Sequence, residues 1–123
     1  MIGLGLDLCA VGRIEKELQQ GDRFLLRFYA EEERAYLDTR GEARAQSAAA
    51  MFAAKEALLK AMGCGLSGGV KLSDIAVTHD ALGRPGYLLR GTAEEKLRAL
   101  GGTRAHLSLT HEGDTAAAVC VLK

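Results

Sequence analysis

Hydrophobic and polar residues alternate strictly at the start of the chain. Residues 2–8 read Ile-Gly-Leu-Gly-Leu-Asp-Leu, with aliphatic side chains on one side and Gly3, Gly5 and Asp7 on the other. Such alternation is typical of a half-buried β-strand. The glycines clear space on their face, and the carboxylate of Asp7 lies at its end.

Helical patterns follow over residues 11–20, 22–28, 31–38 and 42–62. Asp22 is the expected N-cap of the second helix, and three acidic residues begin the third, where the helix dipole favours them. The last of these segments is the longest and is rich in Ala, Leu, Lys and Glu, which are good helix formers. Gly63 occupies the position of a C-terminal cap glycine, and residues 64–69 read as a loop.

The second half of the chain favours strands. Residues 74–78 and 87–89 predict a hairpin around the turn 79–86, and residues 105–110 and 115–122 predict another around 111–114. Between them, Thr92 is the expected cap of a helix to residue 100, with Glu95 completing a capping box. The pattern predicts one α+β domain over 1–123, with one early strand, a long helix and a mostly antiparallel sheet.

The composition of the chain argues against several classes of protein. The chain has 123 residues and is 48% hydrophobic, which suits a single core. Sixteen basic and 16 acidic side chains balance, which argues against a general nucleic-acid binder. We find no signal peptide, no apolar stretch long enough for a membrane span, and three cysteines without metal-binding spacing. These features predict a cytoplasmic protein with free thiols.

Three segments contain candidate chemical groups. Glu56 and Lys60 are four residues apart and therefore share a face of the long helix, although an ordinary solvated ion pair has the same spacing. Asp7, inside an apolar strand, needs a metal, a lysine or a backbone cap to offset its desolvation. His111 ends a strand that also contains Ser108 and Thr110, which could bind phosphate oxygens or simply form a turn.

Two further features are weaker. The glycine loop after residue 62 lacks the phosphate-loop pattern and follows a helix C-terminus, where the dipole repels anions. It is either a plain cap or a close-approach surface for a flat ligand group. Arg13, Arg23 and Arg27 lie on the first two predicted helices, either as ordinary amphipathic faces or as a docking face for an acidic protein.

In combination the motifs are more specific than any one of them. They are GLGLDL at 3–8 with RIE at 13–15, FAAKEA at 52–57 with KA at 60–61 and GCG at 63–65, DALGRP at 80–85, and SLTHE at 108–112. Their order and spacing resemble the holo-acyl-carrier-protein synthases, a short family of 4′-phosphopantetheinyl transferases. The resemblance spans essentially the whole chain. Met51 and Ala81 depart from residues common in the family.

The resemblance implies a reaction and its requirements. Members of the family transfer the phosphopantetheine arm of coenzyme A to a serine of apo acyl carrier protein, release adenosine 3′,5′-bisphosphate and require Mg²⁺. Asp7 and Glu56 would bind the metal, Glu56 could also act on the serine proton, and Lys60 would contact a phosphate. Short members form trimers, in which active sites lie between subunits.

The resemblance also implies binding residues. Gly63, Gly65, Leu66, Arg84 and Pro85 would flank the nucleotide, with Arg84 directed to its 3′-phosphate. Ser108, Thr110 and His111 would bind phosphates, from a neighbouring subunit in the trimer. Arg13, Arg23 and Arg27 would dock the acidic carrier. Lys55 is a weaker candidate because it points about 100° away from Glu56.

Two other functions remain open on the sequence. The chain could be a non-catalytic module that binds coenzyme A or a nucleotide, or a structural oligomerising domain. The presence of Asp7, Glu56 and Lys60 argues against the non-catalytic module, and the structural domain predicts that Asp7→Ala and Glu56→Ala leave the biological role unchanged.

Overall fold

A computed structural model describes residues 1–123 as five α-helices and two antiparallel sheets, which confirms the α+β prediction. The strands are β1 Gly3–Ala10, β2 Ile75–His79, β3 Pro85–Leu89, β4 Ala105–Glu112 and β5 Thr115–Leu122. The helices are α1 Val11–Gln19, α2 Arg23–Phe28, α3 Glu31–Leu37, α4 Arg44–Ala61 and α5 Gly91–Ala99, with single 3-10 turns at Gly41–Ala43 and Leu72–Asp74. None of these helices combines the length and apolar character needed to cross a bilayer.

The first and last strands of the chain lie side by side. The larger sheet has the order β1-β5-β4, and the smaller one pairs β2 with β3. In the larger sheet Asp7, Ala118 and Leu109 form one row across the three strands. β1 and β4 are therefore edge strands, and Asp7 lies on the strand at one free edge.

Helix α4 forms the centre of the core. Eleven of its residues are buried, and it packs on the inner face of the larger sheet. Phe52, Leu59 and Met62 are buried as their spacing predicts. Small side chains allow close packing here, because a Cβ added at Gly3 or Gly5 would overlap the backbone of α4.

The two faces of β1 differ in burial, and the aliphatic face is the exposed one. The glycine face, with Asp7, is buried against α4, whereas Leu4, Leu6 and Leu8 are 58%, 61% and 65% exposed. On the same outer face β5 presents Val119 and Val121, which are only half-buried. The aliphatic face of this half-buried strand is thus left open by the chain itself.

The structure corrects several predicted helix starts. The side chain of Asp22 makes no capping hydrogen bond. Thr92 lies inside α5, where its backbone N–H and hydroxyl both donate to Oδ2 of Asp74 at 2.9 and 2.7 Å, so Asp74 replaces the expected Thr92–Glu95 box. α4 begins at Arg44, after a 3-10 turn over residues 41–43. The cap of α5 comes from a residue distant in sequence, so a local pattern misses it.

The end of α4 agrees with the sequence. Gly63 has a φ of +72°, which favours glycine. Its N–H donates to the carbonyl of Lys60, and the N–H of Cys64 donates to that of Leu59, both at 3.0 Å. This pair of bonds is a Schellman motif, and it ends the helix at Ala61, directly after Lys60.

Candidate active site

Asp7 and Lys60 meet at the free edge of β1. The Nζ of Lys60 lies 2.8 Å from Oδ1 of Asp7 and 3.0 Å from the carbonyl oxygen of Leu6. The ammonium of Lys60 therefore pairs with Asp7, and the ordinary i,i+4 ion pair between Glu56 and Lys60 is not formed. Asp7 is only 9% exposed at its side chain, while that of Lys60 is 56% exposed and free to meet a ligand.

Glu56, on helix α4, lies close to Asp7 of strand β1. Desolvation raises the pKa of Glu56, and the close approach of the Asp7 carboxylate raises it further. The charges of Arg13 and Lys60 oppose that rise in pKa. The strand and the long helix thus bring together two acids that are far apart in the sequence.

The carboxylate pair has an unused ligand atom. Oδ2 of Asp7 is buried and has no hydrogen-bond partner, although a buried oxygen of this kind normally has one. No cluster of three or more His, Cys, Asp or Glu side chains exists in the chain. Two carboxylates at a half-open edge suit Mg²⁺, which takes one or two protein carboxylates and completes its shell with phosphates and water. The residues present fit that ion.

Lys55 points away from this site, as expected. Its side chain is fully buried, and its Nζ lies 2.5 Å from Oε1 of Glu33, which is also fully buried. Burial lowers the pKa of Lys55 and raises that of Glu33, while each charge counteracts the shift of the other. The sequence contains no local signal for this pair, because its members are 22 residues apart on different helices.

A groove lined by two arginines and by Glu17 lies beside α2. Arg23 and Arg27, with Phe24, Leu26 and Phe28, line a cavity of about 730 Å³ beside α2. Phe24 and Phe28 pack in turn against Phe52 of α4, with ring centroids 5.6 and 6.1 Å apart. The guanidinium of Arg13 stands 5.4 Å from the centroid of Phe52, and its charge acts on the carboxylate of Glu56. The three predicted docking arginines are all exposed.

The predicted phosphate-binding residues of β4 are divided between the two faces of the sheet. Ser108 and Thr110 are exposed on the outer face with His106, as the alternation predicts. The strand continues to Glu112, so His111 lies within it and faces the start of α4, where its Nδ1 is 3.1 Å from Nε2 of Gln46. His111 borders a cavity of about 220 Å³ that Arg40 and His79 also line. One copy of the chain therefore does not gather these three residues around Asp7.

The remaining candidates lie in two turns. Gly63, Gly65 and Leu66 belong to the exposed or partly exposed loop after α4. Arg84 follows the β2–β3 turn, where its N–H donates to Oδ1 of Asp80 at 2.9 Å, and Pro85 begins β3. Arg84 and Pro85 line a cavity of about 750 Å³ together with Arg98 and Arg104, two basic side chains without any motif in the sequence. No hydrogen bond or ion pair joins these turns to Asp7 or Glu56.

The three cysteines are free, as predicted. Cys9 and Cys120 are buried, and burial raises the pKa of each thiol to about 11. Neither is suited to act as a nucleophile near neutral pH, because the thiolate is the reactive form.

Known proteins resemble this chain over its full length. The model of the 4′-phosphopantetheinyl transferase superfamily matches residues 3–120. A holo-[acyl-carrier-protein] synthase of Treponema denticola is 47% identical over 123 residues, covering 100% of this chain and 98% of that protein.

Solved structures agree with the sequence comparison. The holo-[acyl-carrier-protein] synthase of Neisseria meningitidis is 36% identical, with a TM-score of 0.88 over 100% of this chain and 99% of that one. The Helicobacter pylori enzyme, solved in complex with coenzyme A, is 27% identical, with a TM-score of 0.84 over 98% and 99% of the two chains. The chain therefore belongs to the 4′-phosphopantetheinyl transferase superfamily and, within it, to the holo-[acyl-carrier-protein] synthases.

Proposed function

We propose that this enzyme transfers the 4′-phosphopantetheine arm of coenzyme A to a serine of an apo acyl carrier protein, releases adenosine 3′,5′-bisphosphate and depends on Mg²⁺. The observation that carries the proposal is the buried Asp7, whose Oδ2 lacks a partner, beside Glu56 and a half-exposed Lys60. Family membership and the coenzyme A complex of the Helicobacter pylori relative support the choice of donor.

Asp7 and Glu56 are the residues that would hold the metal. When bound, Mg²⁺ supplies charge neutralisation at the pyrophosphate of coenzyme A. Lys60 adds a point charge at the same edge, and its exposed side chain can exchange Asp7 for a phosphate oxygen. Phosphoryl transfer requires chiefly such positioning and neutralisation of charge.

Glu56 has a second role in the proposal. An ordinary glutamate is a weak base at neutral pH, but desolvation and the neighbouring Asp7 raise the pKa of Glu56. A raised pKa makes the carboxylate a better acceptor for the proton of the attacking serine, directly or through a water. Metal binding would reduce this basicity, so we rank the role as metal ligand first.

The remaining coenzyme A contacts require more than one copy of the chain. Ser108 and Thr110 lie on the outer face of a sheet whose inner face contains Asp7. A nucleotide that contacts both sets must therefore bind between copies, which fits a homotrimer. The exposed Leu4, Leu6 and Leu8 supply an apolar surface for that contact. His111, Gly63, Gly65, Leu66, Arg84 and Pro85 complete the proposed nucleotide site.

The arginine-lined groove is the proposed carrier site. Acyl carrier proteins are strongly acidic, so exposed guanidiniums on a neutral enzyme can steer their approach. Arg23 and Arg27 line the groove with apolar side chains of α2, and Arg13 lies against Phe52, whose ring packs on Phe24 and Phe28. We assign the reaction to fatty acid biosynthesis, where such carriers act.

Charge reversal at the groove should separate docking from coenzyme A binding. We expect Arg23→Glu to raise KM for the carrier about tenfold or more, because a rim charge steers association, and to leave KM for coenzyme A unchanged. Lys71→Glu, at an exposed lysine outside the groove and outside the cavity lined by Arg84, is the matched control and should behave as wild type toward the carrier. Equal effects of both variants on the carrier would contradict the docking assignment.

Intact mass spectrometry tests the reaction itself. An apo fatty-acid carrier incubated with the enzyme, coenzyme A and Mg²⁺ should gain the mass of one phosphopantetheine arm, and EDTA should prevent the gain. Glu56→Gln should lower the rate by about 10²–10⁴-fold, whereas Glu95→Gln, an exposed control on α5, should not. Coenzyme A binding without transfer to any carrier would instead indicate a non-catalytic module.

A further inference from the structure

A buried ion pair that the proposed reaction does not use lies on another face of α4. The ammonium of Lys55 donates to Oε1 of Glu33 at 2.5 Å, to the carbonyl of Leu72 at 2.9 Å and to the carbonyl of Ile75. All three of its protons therefore have acceptors. Both side chains are 0% exposed.

Glu33 is equally well satisfied. Its Oε1 also accepts the N–H of Ala30 at 2.9 Å, and its Oε2 accepts the N–H of Val77 at 3.1 Å. The pair thus joins α4 to the start of α3, to strand β2 and to the 3-10 turn before that strand. Four separate elements depend on one ammonium and one carboxylate.

Stability alone is a poor explanation for this arrangement. Desolvation of two buried charges often cancels their attraction, and apolar residues of similar size are frequently as stabilising. A buried polar group can instead select one packing arrangement among several of similar energy. The question is which arrangement needs to be selected here.

Phe52 and hydrogen bonds from the hydroxyls of Tyr29 and Tyr87 hold other sides of α4, but its contact with β1 does little to fix its rotation. Eight of its 18 residues are alanine, and on β1 it rests on Gly3 and Gly5, so few large side chains interlock across that contact. Shallow ridges of this kind restrict sliding and rotation only weakly. Consecutive residues of an α-helix point about 100° apart, so the direction of Lys55 fixes the direction of Glu56.

We propose that the Glu33–Lys55 pair fixes the rotation of α4 about its axis and so sets the place of Glu56 beside Asp7. Lys55 is then a positioning residue for the transfer reaction, and to that extent the inference rests on the proposed function. It acts from a different face of the helix, about 100° away from Glu56, without touching either substrate.

The test replaces the pair by neutral side chains of similar size. In Glu33→Gln/Lys55→Met the amide can still accept a backbone N–H and donate to a carbonyl, so no charge is left unpaired. Leu58→Ala is the matched control, because Leu58 is a fully buried residue of α4 whose truncation destabilises the protein while both charges of the pair are kept. Both variants are studied well below their melting temperatures.

We expect the double variant to keep its KM for the carrier, to lose about 10–100-fold in kcat, as is typical for residues that orient metal ligands, and to need more Mg²⁺ for half-maximal rate. Its crystal structure should show the Glu56 carboxylate displaced from Asp7. Leu58→Ala should lose stability but keep kcat and Glu56 in place. An unchanged kcat and Glu56 position in the double variant, or an equal loss of kcat in the control, would overturn the proposal.

Two further measurements cover a double variant that does not fold and a wild type that is inactive. If the double variant does not fold, Glu33→Asp retracts the carboxylate by one methylene while keeping both charges, and the same measurements apply. If the wild type transfers nothing to any carrier, the proposed function fails, yet the position of Glu56 in the crystal structures still decides whether the pair sets the rotation of α4.

Discussion

At Gly5 the backbone of β1 lies against α4 so closely that no other residue fits. A Cβ built there would stand 1.8 Å from the carbonyl oxygen of Ala57, which is backbone and cannot turn aside. We expect Gly5→Ala to lower the free energy of unfolding by about 1–3 kcal/mol, the usual cost of overpacking, or by more. The substitution should also move α4 away from Asp7. Urea denaturation and the transfer rate measure the two effects.

Gly86→Ala is the control for that substitution. Its added Cβ would meet only Oγ1 of Thr78 at 3.5 Å, an ordinary contact. A Gly5→Ala protein as stable as Gly86→Ala would contradict the close approach between β1 and α4.

His79 gives the stability of the protein a pH dependence. Its ring stacks on Tyr36 with centroids 4.3 Å apart, and desolvation, followed by the charge of Arg40, lowers the pKa of His79 below 6.5, while Asp80 opposes that shift. A histidine whose folded pKa is lowered binds fewer protons than in the unfolded chain, so its contribution is lost as pH falls below about 6.5.

We therefore expect the free energy of unfolding to fall between pH 7.5 and pH 5, and to fall less in His79→Phe, which keeps an aromatic ring against Tyr36 but does not titrate. Urea denaturation of both proteins at the two pH values is the measurement. An identical decrease in the free energy of unfolding of both proteins would show that groups other than His79 cause the pH dependence.

Residue patterns predicted much of the site but not its surroundings. The alternation in β1 identified the strand and placed Asp7 with the glycines, and the spacing in α4 put Glu56 and Lys60 on neighbouring positions of one face. Neither pattern reveals that the leucine face is the open one, because alternation is the same whichever face is covered. The Glu33–Lys55 pair was missed since it depends on the tertiary arrangement of two helices.

At the level of elements, the start of α1 depends on the far end of the chain. No side chain caps this helix at Ala10; instead Asp114, in the β4–β5 turn, accepts the N–H of Gly12 through Oδ2 at 3.3 Å and that of Val11 through its carbonyl at 2.9 Å. The hairpin therefore orients the helix that carries Arg13. A contact spanning 102 residues leaves no trace in a local sequence pattern.

Asp114→Ala should cost about 1 kcal/mol, the usual effect of losing a helix cap, and should raise KM for the carrier by loosening α1. Asp22→Ala is the matched control, since Asp22 precedes α2 without making a capping bond. Thermal unfolding of the two variants checks the first effect and carrier titration the second. Equal stability of both variants would show that the Asp114 contact contributes nothing.

At the scale of the whole molecule, the larger sheet separates two functions. Its inner face packs on α4 and supports the carboxylates, while its outer face leaves aliphatic side chains of β1 and β5 in the open and places Ser108 and Thr110 beside them. Apolar surface of this kind, bordered by polar residues, is typical of an interface. Assembly would thus cover the leucines and complete the nucleotide site in one step.

Leu6→Glu tests whether assembly and transfer both depend on the outer face of the larger sheet. Because a charge at the centre of that face cannot be buried without a partner, we expect the variant to sediment as a 13.1 kDa monomer and the wild type at about three times that mass. Transfer should fall with assembly even though Asp7, Glu56 and Lys60 are intact. Leu82→Glu, at a turn residue that is 87% exposed, should remain assembled and active. A monomeric wild type that transfers normally would confine the active site to one copy and remove the need for a partner's Ser108 and Thr110.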